Sequence, residues 1–205
     1  MFVREFECPS CGAQIQRTNP ASRTIVCGYC NQTSHINADS LETAGEKHTL
    51  IDYGSIISIG TFGKLFDREF MILGRLRINY EDGFWDEWYI QYMDDGTTAW
   101  IQEDDGTFLL LEESKTLECA PNFDDIWVGG YTDFDGQWPI TFVTSKSRAQ
   151  VDGGEGELPF KIQPGEQADF IDGISEGRPI SVEILSDETL LFVGSPFDID
   201  ELKLS

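Results

Sequence analysis

The sequence predicts a mainly β protein: an N-terminal zinc ribbon followed by an antiparallel β body made of two related small β-barrel or sandwich halves. Three observations predict it. Four of the five cysteines fall in two Cys-x-x-Cys pairs near the start of the chain. Past residue 53, apolar residues alternate with polar ones or gather in short runs of strand formers, and no segment sustains a helical period. Asp-Gly dipeptides punctuate those runs, and Asp-Gly suits the positive φ values of a tight hairpin turn.

The two pairs are Cys8-Pro9-Ser10-Cys11 and Cys27-Gly28-Tyr29-Cys30, with fifteen residues between them. Two intervening residues let both thiolates of a pair point into one corner of a tetrahedron, which is the ligand spacing of a structural zinc. Disulfides would need an oxidising compartment, of which the sequence carries no sign. A thioredoxin-like redox centre needs one such motif in a βαβ setting, and that setting is missing. Rubredoxin-type iron uses the same four thiolates and stays open as an alternative. Four thiolates close the site, whereas a catalytic zinc keeps a position for water. Cys8, Cys11, Cys27 and Cys30 are therefore expected to hold one structural zinc per chain. Without it, residues 1–38 have too little core to fold. Between the pairs, Ile15-Gln16 and Thr24-Ile25-Val26 are expected to form a hairpin, with Thr33–Ile36 as a third strand. His35 reads as a surface strand residue and Cys119 as a buried inert thiol.

Residues 39–53 are polar and read as a linker. The β body divides at about residue 120, into 54–119 and 120–205. In the first half Phe70, Ile72, Gly74, Leu76, Ile78 and Tyr80 are expected on one face of a half-buried strand, with Arg75, Arg77 and Asn79 on the other. Further strands are expected at Phe84–Met93, Thr97–Gln102, Phe108–Leu111, Ile140–Thr144, Ile180–Leu185 and Thr189–Val193. Six Asp-Gly pairs, beginning at Asp82, Asp95, Asp105, Asp135, Asp152 and Asp172, are candidate turns. Phe66-Asp67-Arg68-Glu69-Phe70 and Phe134-Asp135-Gly136-Gln137-Trp138 share a pattern 68 residues apart, which suggests two related halves.

Charge narrows the function. The chain has 14 Lys and Arg against 37 Asp and Glu, a net charge of -23. Residues 1–38 carry three Arg against two Glu, so the acidic surplus belongs to the body. That surplus opposes phosphate backbones and anionic membrane surfaces alike. No apolar stretch is long enough to span a bilayer, and Met1–Cys8 lacks the apolar core of a signal peptide. A soluble, cytoplasmic protein with a basic protein partner is expected. On a strand, Trp85, Glu87 and Tyr89 share one face, and they are the candidate partner-binding residues; the plainer alternative is that one tryptophan fills the core. Asp133-x-Asp135-Gly136 matches the start of a calcium loop but lacks its remaining ligands. Catalysis finds little support: His35 and His48 both precede the body, and no nucleotide-binding or metalloprotease motif is present. The expected function is a non-enzymatic zinc-binding adaptor. The alternative is an acidic decoy that imitates nucleic acid before a DNA-handling protein.

Several stretches then point to a family. Leu50-Ile51-Asp52-Tyr53-Gly54, Ile59-Gly60-Thr61, Gly74-Arg75-Leu76-Arg77-Ile78, Trp85-Asp86-Glu87-Trp88-Tyr89 and Trp100-Ile101 resemble the bacterial domain of unknown function 4178. So do Gly156-Glu157-Leu158-Pro159-Phe160, Asp169-Phe170-Ile171-Asp172 and Ile180-Ser181-Val182-Glu183. Trp88 and Phe160 stand where the family pattern has another aromatic or apolar residue. Many members also begin with a zinc ribbon. The resemblance implies no established activity. Its genes tend to lie near membrane-stress and polyamine-related genes, so the resemblance implies an accessory role there and a basic or membrane-stress-related protein as partner.

Overall fold

The structure is a computed structural model and describes residues 2–118, 121–136, 138–185 and 188–205. Cys119, and Gln137 of the second Phe-Asp motif, lie outside the described residues.

Five short strands build the four-cysteine segment: β1 (Arg4–Glu7), β2 (Gln14–Arg17), β3 (Thr24–Val26), β4 (Thr33–Asn37) and β5 (Ser40–Thr43). The expected pairing of Ile15-Gln16 with Thr24–Val26 does not form. Ile15 and Gln16 pair instead with Phe6 and Glu5, while β3 pairs with β4. The reason is local: each Cys-x-x-Cys turn is itself the bend of a hairpin, so each pair is carried by its own two strands. β5 pairs with β4 and occupies part of the stretch expected to be a linker. The rest of that stretch lies on the body, with Leu50 buried and His48 paired with Asp152.

The body is β throughout, as the sequence predicts, with no α-helix among the described residues. Its long strands are preceded by β6 (Phe62–Leu65) and form two meanders. The first is β7 (Arg68–Tyr80), β8 (Gly83–Tyr92), β9 (Thr98–Asp104) and β10 (Thr107–Thr116). After β11 (Tyr131–Thr132) comes the second: β12 (Thr141–Leu158), β13 (Gln167–Ser175), β14 (Arg178–Ile184) and β15 (Thr189–Phe197). A last strand, β16 (Lys203–Leu204), returns to β6. The two meanders close on each other, rather than each on itself. β7 pairs with β12 and β10 with β15, giving one eight-stranded antiparallel barrel. Four strands alone would leave edges exposed, and joining the two sets removes them.

The strict alternation in β7 conceals a change of phase. A bulge between Ile72 and Gly74 turns Phe70 and Ile72 to the outside of the wall, while Leu76 and Ile78 face the interior. The outside is not solvent. Phe70, Ile72, Trp88 and Ile90 are covered by Ile57, Leu202 and β6. On the opposite wall Val143, Ile171 and Val182 are covered by Leu117, Ile126 and Phe134. The interior holds Leu76, Ile78, Trp85, Tyr89, Trp100, Phe170 and Phe192.

Close backbone approach explains two glycines within the wall. Gly74 of β7 faces Gly156 of β12, and a Cβ at Gly74 would stand 2.1 Å from the Glu157 carbonyl oxygen. The Asp-Gly pairs divide accordingly. Asp105 and Gly106, both at positive φ, close the β9–β10 hairpin, and Asp95-Gly96 lies in the β8–β9 turn. Asp152-Gly153 and Asp172-Gly173 instead lie inside strands. There glycine admits a neighbour: a Cβ on Gly173 would meet the Phe142 carbonyl oxygen at 2.6 Å.

Candidate functional site

Two hairpin turns bring the four cysteines together. The Gly12 amide donates to the Cys8 carbonyl at 2.9 Å, and the Asn31 amide to the Cys27 carbonyl at 2.9 Å. Gly12 and Asn31 both take positive φ to make these turns. The four sulfurs lie within 4.8 Å of one another, and Cys8–Cys30 and Cys11–Cys27 are each 3.8 Å apart. A tetrahedral ion with metal–sulfur bonds of about 2.3 Å needs S···S edges of about 3.8 Å, so these residues fit a metal ion. Cys27 and Cys8 are buried and Cys11 is exposed, so the site lies at the surface of the segment. Burial works to raise the Cys30 thiol, but the Gln32 amide and the neighbouring thiols outweigh it and bring it to about 7. His35 is not part of the group: its Nε2 lies 3.0 Å from the Ile162 carbonyl oxygen.

The loop between the two cysteine pairs is bound to the barrel by one carboxylate that sequence reasoning left unassigned. Glu157, near the end of β12, accepts from the Thr18 amide at 2.6 Å and the Thr18 hydroxyl at 2.7 Å. Its second oxygen accepts from the Asn19 amide at 3.1 Å and the Ser22 hydroxyl at 2.7 Å. Thr24 Oγ1 donates to the Phe160 carbonyl, and β3 pairs with Gly156–Leu158. Sheet continuity therefore runs from the barrel into the cysteine segment.

The predicted partner-binding face points the other way. Trp85, Glu87 and Tyr89 are all buried on the interior of β8, packed with Trp100 and Phe170. They cannot receive a protein partner, because the barrel wall encloses them. The Trp85 indole N–H donates to Glu87 at 2.8 Å. Asp86 and Trp88, on the outer face, are buried as well. Asp86 receives Arg77 Nε at 2.9 Å and Arg75 Nη2 at 2.7 Å, under the segment that carries Ile51. Arg77 stacks over Phe84, with its carbon 4.2 Å from the ring centre. The expected solvent face of β7 is thus a covered ion network. Strand alternation alone could not find it, since it reports polarity and not what lies above.

Acidic groups gather at one end of the barrel. The β7–β8 turn carries the exposed Asp82, β9 ends on the half-buried Asp104, and the β9–β10 turn carries the exposed Asp105. Tyr80 between them has its hydroxyl pKa pushed up, first by Asp104, then by burial and by Asp82 and Asp105. Tyr53, largely exposed, stacks on Phe84 at 4.7 Å beside the same turns. A surface cleft of about 440 Å³ joins these residues. The Asp133–Asp135 loop is pinned differently. Asp133 accepts from the amides of Asp135 and Gly136, and Lys115 pairs with Asp135, so a cation already stands where a calcium reading would need one. Among the described residues no helix is long and apolar enough to cross a membrane.

A family model described as a domain of unknown function (DUF4178) matches residues 58–198. The match spans the whole barrel and begins after the four-cysteine segment. No curated protein and no solved structure matches the chain.

Proposed function

The chain belongs to the DUF4178 family, and from that premise we propose that it is a non-catalytic, zinc-stapled interaction protein of the cytoplasm whose acidic barrel end receives a basic protein partner. The observation that carries this reading is the convergence of Asp82, Asp104 and Asp105 at two adjacent turns and the strand end between them, beside the exposed Tyr53. Such carboxylates steer a basic partner, and a rigid aromatic gives it a place to settle. Zinc is the ion proposed for Cys8, Cys11, Cys27 and Cys30, because four thiolates close the coordination sphere.

The test has two parts. Elemental analysis should find one zinc per chain; iron, or disulfides at these cysteines, would overturn the zinc assignment. A partner captured from the native cell should associate more slowly with the Asp82→Asn, Asp104→Asn, Asp105→Asn variant, and more slowly with added salt. An association rate untouched by both would overturn the acidic-end reading. Competition by DNA for the same partner would favour the decoy alternative over an adaptor.

A further inference from the structure

The barrel interior contains carboxyl groups that its own hydrogen bonds do not account for. Glu87 on β8 and Glu183 on β14 project inward from opposite walls, and they are 3% and 5% exposed. Glu87 receives the Trp85 indole, whereas Glu183 makes no hydrogen bond or ion pair among the described residues. Burial raises the pKa of Glu183 well above the ordinary range, and Glu87, Asp172 and Glu113 add to it. A buried carboxyl without a partner is costly, so its presence calls for a ligand that satisfies it.

The space beside it is suited to one. Glu183 lines a cavity of about 290 Å³ whose walls include Leu76, Ile78, Phe160 and Phe170. Arg23, Lys161, Glu166 and Glu188 are the other charged residues that line the same cavity. On the other side of Phe170, a cavity of about 220 Å³ is lined by Glu87, Asp172 and Ser145. The first volume lies near the lower end of small-molecule pockets, roughly 300 Å³, which suits a compact ligand. A bare metal ion does not fit. Among the described residues only the four cysteines bring three or more ligand atoms within 4.8 Å. Of the carboxyls that line the cavity, Glu183 is the buried one, and it stands beside the apolar wall of Leu76, Ile78 and Phe170, which suits a cation with a hydrocarbon body.

We propose that the barrel interior binds a primary alkylammonium, with the ammonium on Glu183 and the chain against Leu76, Ile78 and Phe170. Glu183 enters the complex as carboxylate, so the incoming ammonium displaces one proton to solvent. Affinity should therefore rise with pH, as burial first, and then Glu87 across the barrel, Asp172 on the adjacent β13 and Glu113 on β10, hold Glu183 protonated in the free protein.

Calorimetric titration of the full chain with n-butylammonium, and with n-butanol as its neutral counterpart, tests this at about pH 6 and about pH 8. The expected result is saturable one-to-one binding of n-butylammonium, tighter at the higher pH, with butanol at least about tenfold weaker. Glu183→Gln should weaken n-butylammonium about tenfold or more while the melting temperature holds or rises, because it removes a buried acid. Ala168→Leu, which fills the same cavity, should also abolish binding and serves if the first variant does not fold. No saturable binding of n-butylammonium, equal binding of butanol, or an affinity unchanged in both variants would each overturn the proposal.

Discussion

In the four-cysteine segment the packed cluster is Ile15 and Ile25 set against Cys8 and Cys27, with Phe6, Val26 and Ala44 also buried. In the barrel, packed clusters line the interior and cover much of the outer wall as well. The first region has almost no area to take out of water, and its four thiols are placed for an ion. The second has ample area and spends part of its interior on acids. Stability therefore has two sources in one sheet, since β3 continues from β12 across the boundary. The comparison teaches where each kind of damage should stay local and where it should spread. Glu157 is the most heavily bonded point of contact, because it holds Thr18, Asn19 and Ser22 together, with the Asn19 side-chain amide also donating to the Tyr89 hydroxyl at 3.3 Å.

The largest effects are expected inside the barrel. Trp85→Ala should cost about 3–5 kcal/mol, as truncating a core aromatic does. Asp86→Ala should cost a similar amount, about 3–5 kcal/mol, because Arg75 and Arg77 would be left buried without their shared carboxylate. Denaturant unfolding checks both. A loss under about 1 kcal/mol for Trp85→Ala would show that the interior is loosely packed.

A smaller effect concerns pH. Burial pushes Glu87 up to about 7, aided by Asp172 and Asp86 and opposed by the Trp85 indole, while Glu183 faces it from across the barrel. Below the ordinary glutamate value both folded and unfolded states hold the proton, and no penalty exists. Between that value and about 7 the unfolded chain releases it first, so folding stability falls as pH rises. The loss attributable to Glu87 should reach about 3 kcal/mol, and Glu87→Gln should flatten it. Stability measured against pH for the two proteins gives the difference directly; identical slopes would contradict the buried-acid account.

The smallest effect separates the two regions. Glu157→Gln keeps the shape but removes the charge that four donors share, at a cost of about 2 kcal/mol. Thermal unfolding followed by Trp fluorescence and by amide exchange should then diverge, with the cysteine segment released before the barrel. Coincident transitions would show that the β3–β12 pairing suffices to hold it.

Much of this architecture is legible in the sequence, and the gaps have physical causes. Strand formers and alternation mark β7, β8, β9, β14 and β15. β13 is harder to see, because Asp169, Asp172 and Gly173 lower its strand character. β12 runs past Thr144 through Gly153, Gly154 and Gly156, which suggest a loop until the neighbours show why no side chain fits: His48 and Leu50 at Gly153, and the β7 backbone at Gly156. The cysteine site follows from spacing alone, since ligand geometry is local. The Trp85–Tyr89 face does not: alternation tells which residues share a side, and only closure of the barrel tells that this side is inward. Glu157 and Glu183 have no local signature, because their roles depend on strands far away in the chain.

Hydrogen exchange of the full chain, before and after removal of metal by a chelator, tests the central contrast most directly. The account predicts that protection is lost in β1–β5 and at Thr18–Ser22, and kept in β7–β10 and β12–β15 up to the pairing with β3. Loss of protection throughout the barrel, or no loss in β1–β5, would contradict it.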